Sequence, residues 1–347
     1  MFRRLILAAA ITTAPLTALA GDLAPDAAGE VVDQLVRNLD GYMDPKVGAA
    51  VQASLRSHRA DYVKLDSRAA FAEAVTRDMY AASHDRHLKV SLETRDASRG
   101  ARLTEAQQEL VDRRLAYGMM AIRRLPANIG LLKTSYFEQT EPGARLANAA
   151  MELLQDTDAL IIDLRANHGG GGASDEALLG QLSRTPIPMA KIYWRTADGG
   201  TEVMQREAAK PKDGPLYADK PVFVLISRET GSAAEAFAYD LQASKRALLI
   251  GETTAGAANP SNRPFHLDYG FRVFIPTGKV VHPITGGNWE GVGVRPDVAV
   301  PVDQALTEAY TRALAAAKPL ISTPRSEAER TQAIADPKAA LTADQAL

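Results

Sequence analysis

The chain has 347 residues, with 40 basic and 42 acidic side chains for a formal charge of −2, and it contains no cysteine. Its length suffices for one large core or two domains. The lack of cysteine excludes disulfides and thiol lipid attachment, and no basic run or basic amphipathic stripe favours nucleic acid or an anionic membrane surface as a partner.

Arg3 and Arg4 precede an apolar run from Leu5 to Ile11, and Ala18-Leu19-Ala20 supplies a small-residue cleavage pattern before Gly21. This order predicts a signal peptide over residues 1–20 and a periplasmic or secreted protein. Thr12, Thr13 and Pro15 interrupt a stretch already shorter than the ~20 apolar residues of a spanning helix, so stable membrane insertion is not expected.

From Val31 to Ser83 apolar residues recur at helical spacing, as in Val31, Leu35 and Leu39 and in Phe71, Val75 and Met79, with Asp66 or Ser67 placed to cap the second run. A small helical domain over residues 21–95 follows. The period then changes: short β-rich runs at Ile129–Thr134, Ala159–Leu164, Ala190–Trp194, Val222–Ile226 and Ala247–Gly251 are separated by helical patterns such as Glu141–Gln155 and Ala233–Ala243. Strands alternating with helices predict an α/β core over residues 96–302 with both sheet faces covered. Between Pro264 and Pro283 the pattern suits hairpins, with turns at Asp268-Tyr269-Gly270 and Thr277-Gly278-Lys279. Residues 303–347 alternate Ala with charged residues and predict a loosely packed or frayed helical tail.

Ser232 lies between an apolar strand and an Ala-rich helix, preceded by Gly231 and followed by Ala233 and Ala234. Such a turn exposes a hydroxyl, and the helix N-terminus offers unpaired N–H groups to a developing negative charge. A plain N-cap role for Ser232 or Ser227 accounts equally for the residue type, and Glu235 is placed to complete a reciprocal Ser-x-x-Glu box. After Asp163-Leu164-Arg165-Ala166-Asn167-His168 come four glycines, Gly169 to Gly172, whose main chain can approach a ligand closely. The segment is either a flexible loop or a source of oxyanion donors, Gly169 or Gly170, beside Ala233; a phosphate loop is disfavoured because no Lys follows the glycines.

Taken in order, Asp163-Leu164-Arg165-Ala166-Asn167-His168-Gly169-Gly170, Gly231-Ser232-Ala233-Ala234-Glu235, Gly251-Glu252-Thr253-Thr254-Ala255-Gly256 and Gly291-Val292-Gly293-Val294-Arg295-Pro296-Asp297 resemble the C-terminal processing, or tail-specific, serine peptidases. The resemblance implies a ClpP/crotonase-like mixed-sheet α/β core behind the helical domain, and a peptide or protein substrate with no cofactor. Members with a Ser-Lys dyad carry the Lys where this chain has Ala257. Ser83-His84-Asp85-Arg86-His87-Leu88 instead resembles the branch that includes the tricorn core and the interphotoreceptor retinoid-binding protein, which implies His87 as base and Glu290 as the acidic member. That branch places a serine before the histidine, where this chain has Arg86. His84 is expected on an exposed turn, and a metal held by His84 and His87 lacks a third ligand at credible spacing. Asp163, Arg165 and Asp297 are assigned to structure. The stretch from Val90 to Ile129 is far shorter than the roughly one hundred residues of a PDZ domain, so none is expected. The alternative function is a non-catalytic protein binding an apolar small molecule or peptide in an interdomain cleft, which would not need a nucleophile, a base, an acid and oxyanion donors together.

Overall fold

The computed structural model describes residues 23–93, 104–196, 198–211, 213–263 and 265–345. The expected signal peptide lies outside the described residues. No described helix is long and apolar enough to cross a membrane.

Helices α1 (Pro25–Asn38), α2 (Pro45–Ser57), α3 (Arg59–Tyr62) and α4 (Arg68–Ser83) come first, followed by strand β1 (Lys89–Leu92) and helix α5 (Glu105–Arg114). Pro25 and Pro45 open α1 and α2 with their fixed φ, and Asp44 caps α2 by accepting from the N–H groups of Lys46 and Val47. Ser67 caps α4 through the Ala70 N–H, as expected.

The core then runs through β2 (Met119–Leu125), β3 (Ile129–Thr134), α6 (Glu141–Leu154), β4 (Ala159–Asp163), α7 (Ala173–Leu182), β5 (Lys191–Arg195), β6 (Thr201–Met204) and β7 (Val222–Ile226). Next come α8 (Ala233–Ala243), β8 (Leu248–Gly251), β9 (Phe265–Leu267), β10 (Phe271–Phe274), β11 (Gly278–Val281) and β12 (Val298–Ala299), and the chain finishes with α9 (Ala305–Ala316), α10 (Pro324–Ala335) and α11 (Pro337–Gln345). The mixed α/β class expected from the strand and helix patterns is the one observed.

A six-stranded sheet in the order β12-β8-β7-β4-β3-β2 forms the centre; its strands are parallel except β2, which pairs antiparallel with β3. The continuous apolar runs of β4 and β7 are buried along their whole length because both faces are covered. One face packs on α6, α7 and α8 through Met151, Leu178, Phe237 and Leu241. The other packs on the tail, where Ala309, Tyr310 and Ala313 are fully buried. Helix α9 is therefore not loosely packed, since its alanines let it lie close against the sheet, whereas α10 and the described part of α11 leave most of their residues exposed, as expected for the tail.

The helices α1–α4 share one apolar cluster with β1, β9 and β10, in which Leu35 and Val75 meet Phe271 and Val273. These three strands form an antiparallel sheet in the order β1-β10-β9. The turn at Asp268-Tyr269-Gly270 joins β9 to β10 as expected. Thr277-Gly278-Lys279 is not a hairpin turn: Gly278 and Lys279 begin β11, which leaves that sheet and pairs with β5. A Cβ at Gly278 would lie 2.7 Å from the Trp194 ring, so the glycine serves close strand packing and not a turn.

Candidate active site

The loop from β7 to α8 is stitched to the loop that follows β4. Thr230 Oγ1 donates to the Leu164 carbonyl, Ser227 Oγ donates to that of Arg165, and the Gly231 N–H donates to that of Asn167. Ser232 ends this loop at φ 54° and ψ −122°, a conformation costly for any residue with a Cβ. An N-cap serine normally has β-region dihedrals and accepts from the helix with its side chain. Here the Glu235 N–H donates to the Ser232 carbonyl, and the exposed Ser232 hydroxyl caps nothing. Only half of the expected box forms, in which the Glu235 carboxylate accepts the Ser232 N–H at 2.9 Å.

The glycine loop lies directly against this serine: a Cβ on Gly169 would come within 2.7 Å of Ser232 Cβ and 3.1 Å of the Ala233 nitrogen. Gly169 to Gly172 all have φ between 106° and 128°, and a Cβ on Gly170 would sit 2.2 Å from the Phe137 carbonyl oxygen. Only glycine fits this path. Of the two glycine donors expected, the Gly169 N–H donates to Asn167 Oδ1 at 2.9 Å. Among the described residues the N–H groups of Gly170 and Ala233 have no hydrogen-bond partner.

His87 follows α4 by a short turn. Asp85 makes that turn: its Oδ1 accepts the N–H groups of His87 and Leu88. The ring stacks on Phe274 of β10 at 5.2 Å between centroids, and its Nδ1 lies 3.2 Å from Glu290 Oε2. A carboxylate at that distance fixes the Nδ1–H tautomer and leaves Nε2 as the basic atom. The Arg86 position creates no obstacle, since Glu290 reaches the ring directly while Arg86 Nη1 donates to the Ala255 carbonyl. His84 is exposed at the left-handed C-cap of α4, away from the hydrogen bonds of the site.

Two carboxylates hold the segment Thr254–Asn259 between the serine and the imidazole. Glu235 accepts from Thr254 Oγ1 and from the N–H groups of Gly256 and Ala257, and Glu290 Oε2 accepts from those of Ala258 and Asn259 at 2.8 Å each. Ser232 and His87 are thus each tied to this strap, through Glu235 and Glu290 respectively, although no hydrogen bond joins the hydroxyl to the ring. Catalytic contacts of this kind often close only around substrate.

Burial alone would lower the His87 pKa, but the Glu290 hydrogen bond and charge, reinforced by Asp85, carry it above the ordinary histidine value. Glu290 is driven up by burial and more strongly down by His87 and the two strap N–H groups, ending below the usual carboxylate value. Asp85 is pushed up to about 6 by burial and the nearby Glu290 charge, against the opposing pull of its hydrogen bonds.

Asp85, His87 and Glu290 offer ligand atoms within 4.8 Å of one another, so this group, without His84, could hold a metal ion. Both Asp85 oxygens and Glu290 Oε2 already accept hydrogen bonds, which favours a proton-holding cluster. Asp163 and Arg165 pair with each other at 2.8 Å, and Asp297 accepts from the Leu249 N–H and Gln242; both arrangements are structural. Sequence reasoning passed over Asp85, Asn167 and Phe274. An Asp two residues before the histidine is the spacing of an Asx turn and was a usable signal; Phe274 left none.

A parallel-rich sheet bearing a serine on a sharp strand-to-helix turn is an architecture of the serine hydrolase class. Residues 128–300 match the model of peptidase family S41, and the chain belongs to that family. It is 29% identical over 200 residues to the carboxy-terminal-processing protease of Bartonella bacilliformis, covering 54% of this chain and 42% of that protein. It is 28% identical over 225 residues to the carboxyl-terminal-processing protease of Synechocystis, covering 62% and 48%. The chain thus spans less than half the length of these two relatives. Its fold is similar to that of a solved chain from Parabacteroides merdae described as a peptidase, with TM-score 0.59 and 19% identity over 87% of this chain and 100% of the other. A Streptococcus agalactiae lipoprotein gives 0.50 and 17%, covering 85% and 97%.

Proposed function

We propose that the protein is an exported serine peptidase in which Ser232 attacks the peptide carbonyl, His87 is the base and Glu290 orients the imidazole. The observation that carries this is the strained backbone of Ser232: a residue that gains nothing as a cap is held at a costly φ/ψ with its hydroxyl free, beside a glycine loop with an unpaired N–H. His87 Nε2 would take the hydroxyl proton as Oγ bonds to the carbonyl carbon. The oxyanion would rest on the N–H groups of Ala233 and Gly170, and Glu290 would stabilise the imidazolium. The imidazolium then protonates the departing amine, and a water repeats the sequence to release the acyl group. Residues 1–20 act as the export signal in this account.

A fluorophosphonate probe tests it. Labelling is expected at Ser232, absent in Ser232→Ala and at least about tenfold slower in His87→Ala. Labelling at another serine, or an unchanged rate in His87→Ala, would remove the assigned residue from the mechanism, and a folded protein that takes no label would favour the binding-protein alternative.

A further inference from the structure

We propose that Tyr42, from the N-terminal helical segment, and Asp85 form a positioning pair that holds the His87 ring against Glu290, so that the helices α1–α4 contribute to the machinery behind the base. This rests on the assignment of His87 as base.

Tyr42 follows α1 and is 2% exposed, and its hydroxyl donates to Asp85 Oδ2 at 2.7 Å. The other oxygen of Asp85, which is itself 2% exposed, accepts the His87 N–H at 2.8 Å and the Leu88 N–H at 3.3 Å. One carboxylate therefore has one oxygen on the helical segment and the other on the backbone of the base. Bridging with both oxygens fixes the backbone from which the His87 side chain reaches Glu290. Tyr42 is anchored from its own side as well, because Gly48 of α2 lies so close that a Cβ there would touch Tyr42 Cβ at 3.3 Å.

The charged groups around the pair define its electrical role. Asp85 faces Tyr42, Glu290 and His87; the ring faces Glu290, Asp85 and, across the strap, Glu235; Tyr42 faces Asp85, Glu290 and Asp44. Arg86 is directed to the Ala255 carbonyl. The Tyr42 hydroxyl, kept protonated by burial and by the Asp85 charge, stabilises the Asp85 anion, and that anion helps to hold the imidazole protonated. Without the phenol, Asp85 takes up a proton more readily, its charge at the ring weakens, and the ring loses its proton at lower pH.

The test uses the full chain and two readouts in the wild type, Tyr42→Phe, Asp85→Asn and the double variant: the pH dependence of Ser232 labelling by a fluorophosphonate, and the His87 ring titration by NMR. Tyr42→Phe keeps the packing, and Asp85→Asn keeps an oxygen for the turn. Both single variants are expected to move the His87 midpoint to lower pH by about half a unit or more. The plateau labelling rate above the midpoint should fall at least about threefold because the base is less firmly positioned, even though the lower midpoint leaves more of the ring neutral at neutral pH. In the double variant the His87 midpoint should match that of Asp85→Asn, since Tyr42 acts through Asp85. A lower labelling rate at every pH with an unmoved His87 midpoint would make the pair merely structural and overturn the proposal, as would additive shifts in the double variant. A shifted His87 titration without Ser232 labelling would keep the pair and sink the nucleophile assignment instead.

Discussion

Glu235 and Glu290, 55 positions apart in the chain, grip the same six-residue strap from its two ends: Glu235 takes the N–H groups of Gly256 and Ala257, and Glu290 takes those of Ala258 and Asn259. Each carboxylate also holds one member of the proposed site, Glu235 the Ser232 N–H and Glu290 the His87 ring. The proposed nucleophile and base are thus tied to one strap, whose backbone donors are divided between the buried Glu235 and the half-buried Glu290.

The raised His87 pKa sets the direction of the pH dependence. Neutral imidazole is the competent base, so labelling of Ser232 should rise with pH through a midpoint above the ordinary histidine value of ~6.5 and then level. Glu290→Gln removes the charge that raises the midpoint, which should fall toward or below ~6.5, and the plateau rate should drop more than about tenfold. A pH-rate series on both proteins decides this. A midpoint unmoved by Glu290→Gln would leave that residue with a structural role only.

Glu235→Gln should both slow labelling and destabilise the fold. A carboxylate here accepts four hydrogen bonds, and an amide turns a donor toward two of the groups that need an acceptor. The expected cost is about 1–3 kcal/mol, visible as a lower urea midpoint. Wild-type stability in this variant would contradict the strap account.

Gly170→Ala should be more damaging than a loop substitution normally is. The new methyl would meet the Phe137 carbonyl oxygen at 2.2 Å on a backbone with φ 106°. A loss of more than about 2 kcal/mol is expected from the clash and strain together, with labelling abolished. Normal labelling in a folded Gly170→Ala protein would show that the site does not depend on the glycine-only path of this loop.

Ser232→Gly should stabilise the protein by about 1 kcal/mol while removing its labelling, because glycine adopts φ 54° and ψ −122° without the penalty a Cβ brings. Calorimetry or urea unfolding of Ser232→Gly beside the wild type measures the difference. A destabilised Ser232→Gly protein would mean that the elbow is unstrained and that the serine side chain packs usefully.

The strands β3 and β7 and the helix α8 were legible at their observed limits, since an uninterrupted apolar run or an alanine-rich helical period is a local signal that both sheet faces being covered leaves intact. Ser232 stood out by its place between an apolar strand and an alanine-rich helix, whereas His87 was implied only by the resemblance of its segment to one branch of the family. The three-dimensional arrangement alone decided that Glu290 meets a ring 203 positions earlier, that Asn167 takes the Gly169 N–H and leaves Gly170 free, that Tyr42 reaches Asp85, and that the charged tail buries Tyr310 against the sheet. Those facts depend on which distant groups share a hydrogen bond once the chain is compact. A donor in a sequence has many acceptors of equal merit, and only packing, with its demand that every buried polar group find a partner, chooses among them.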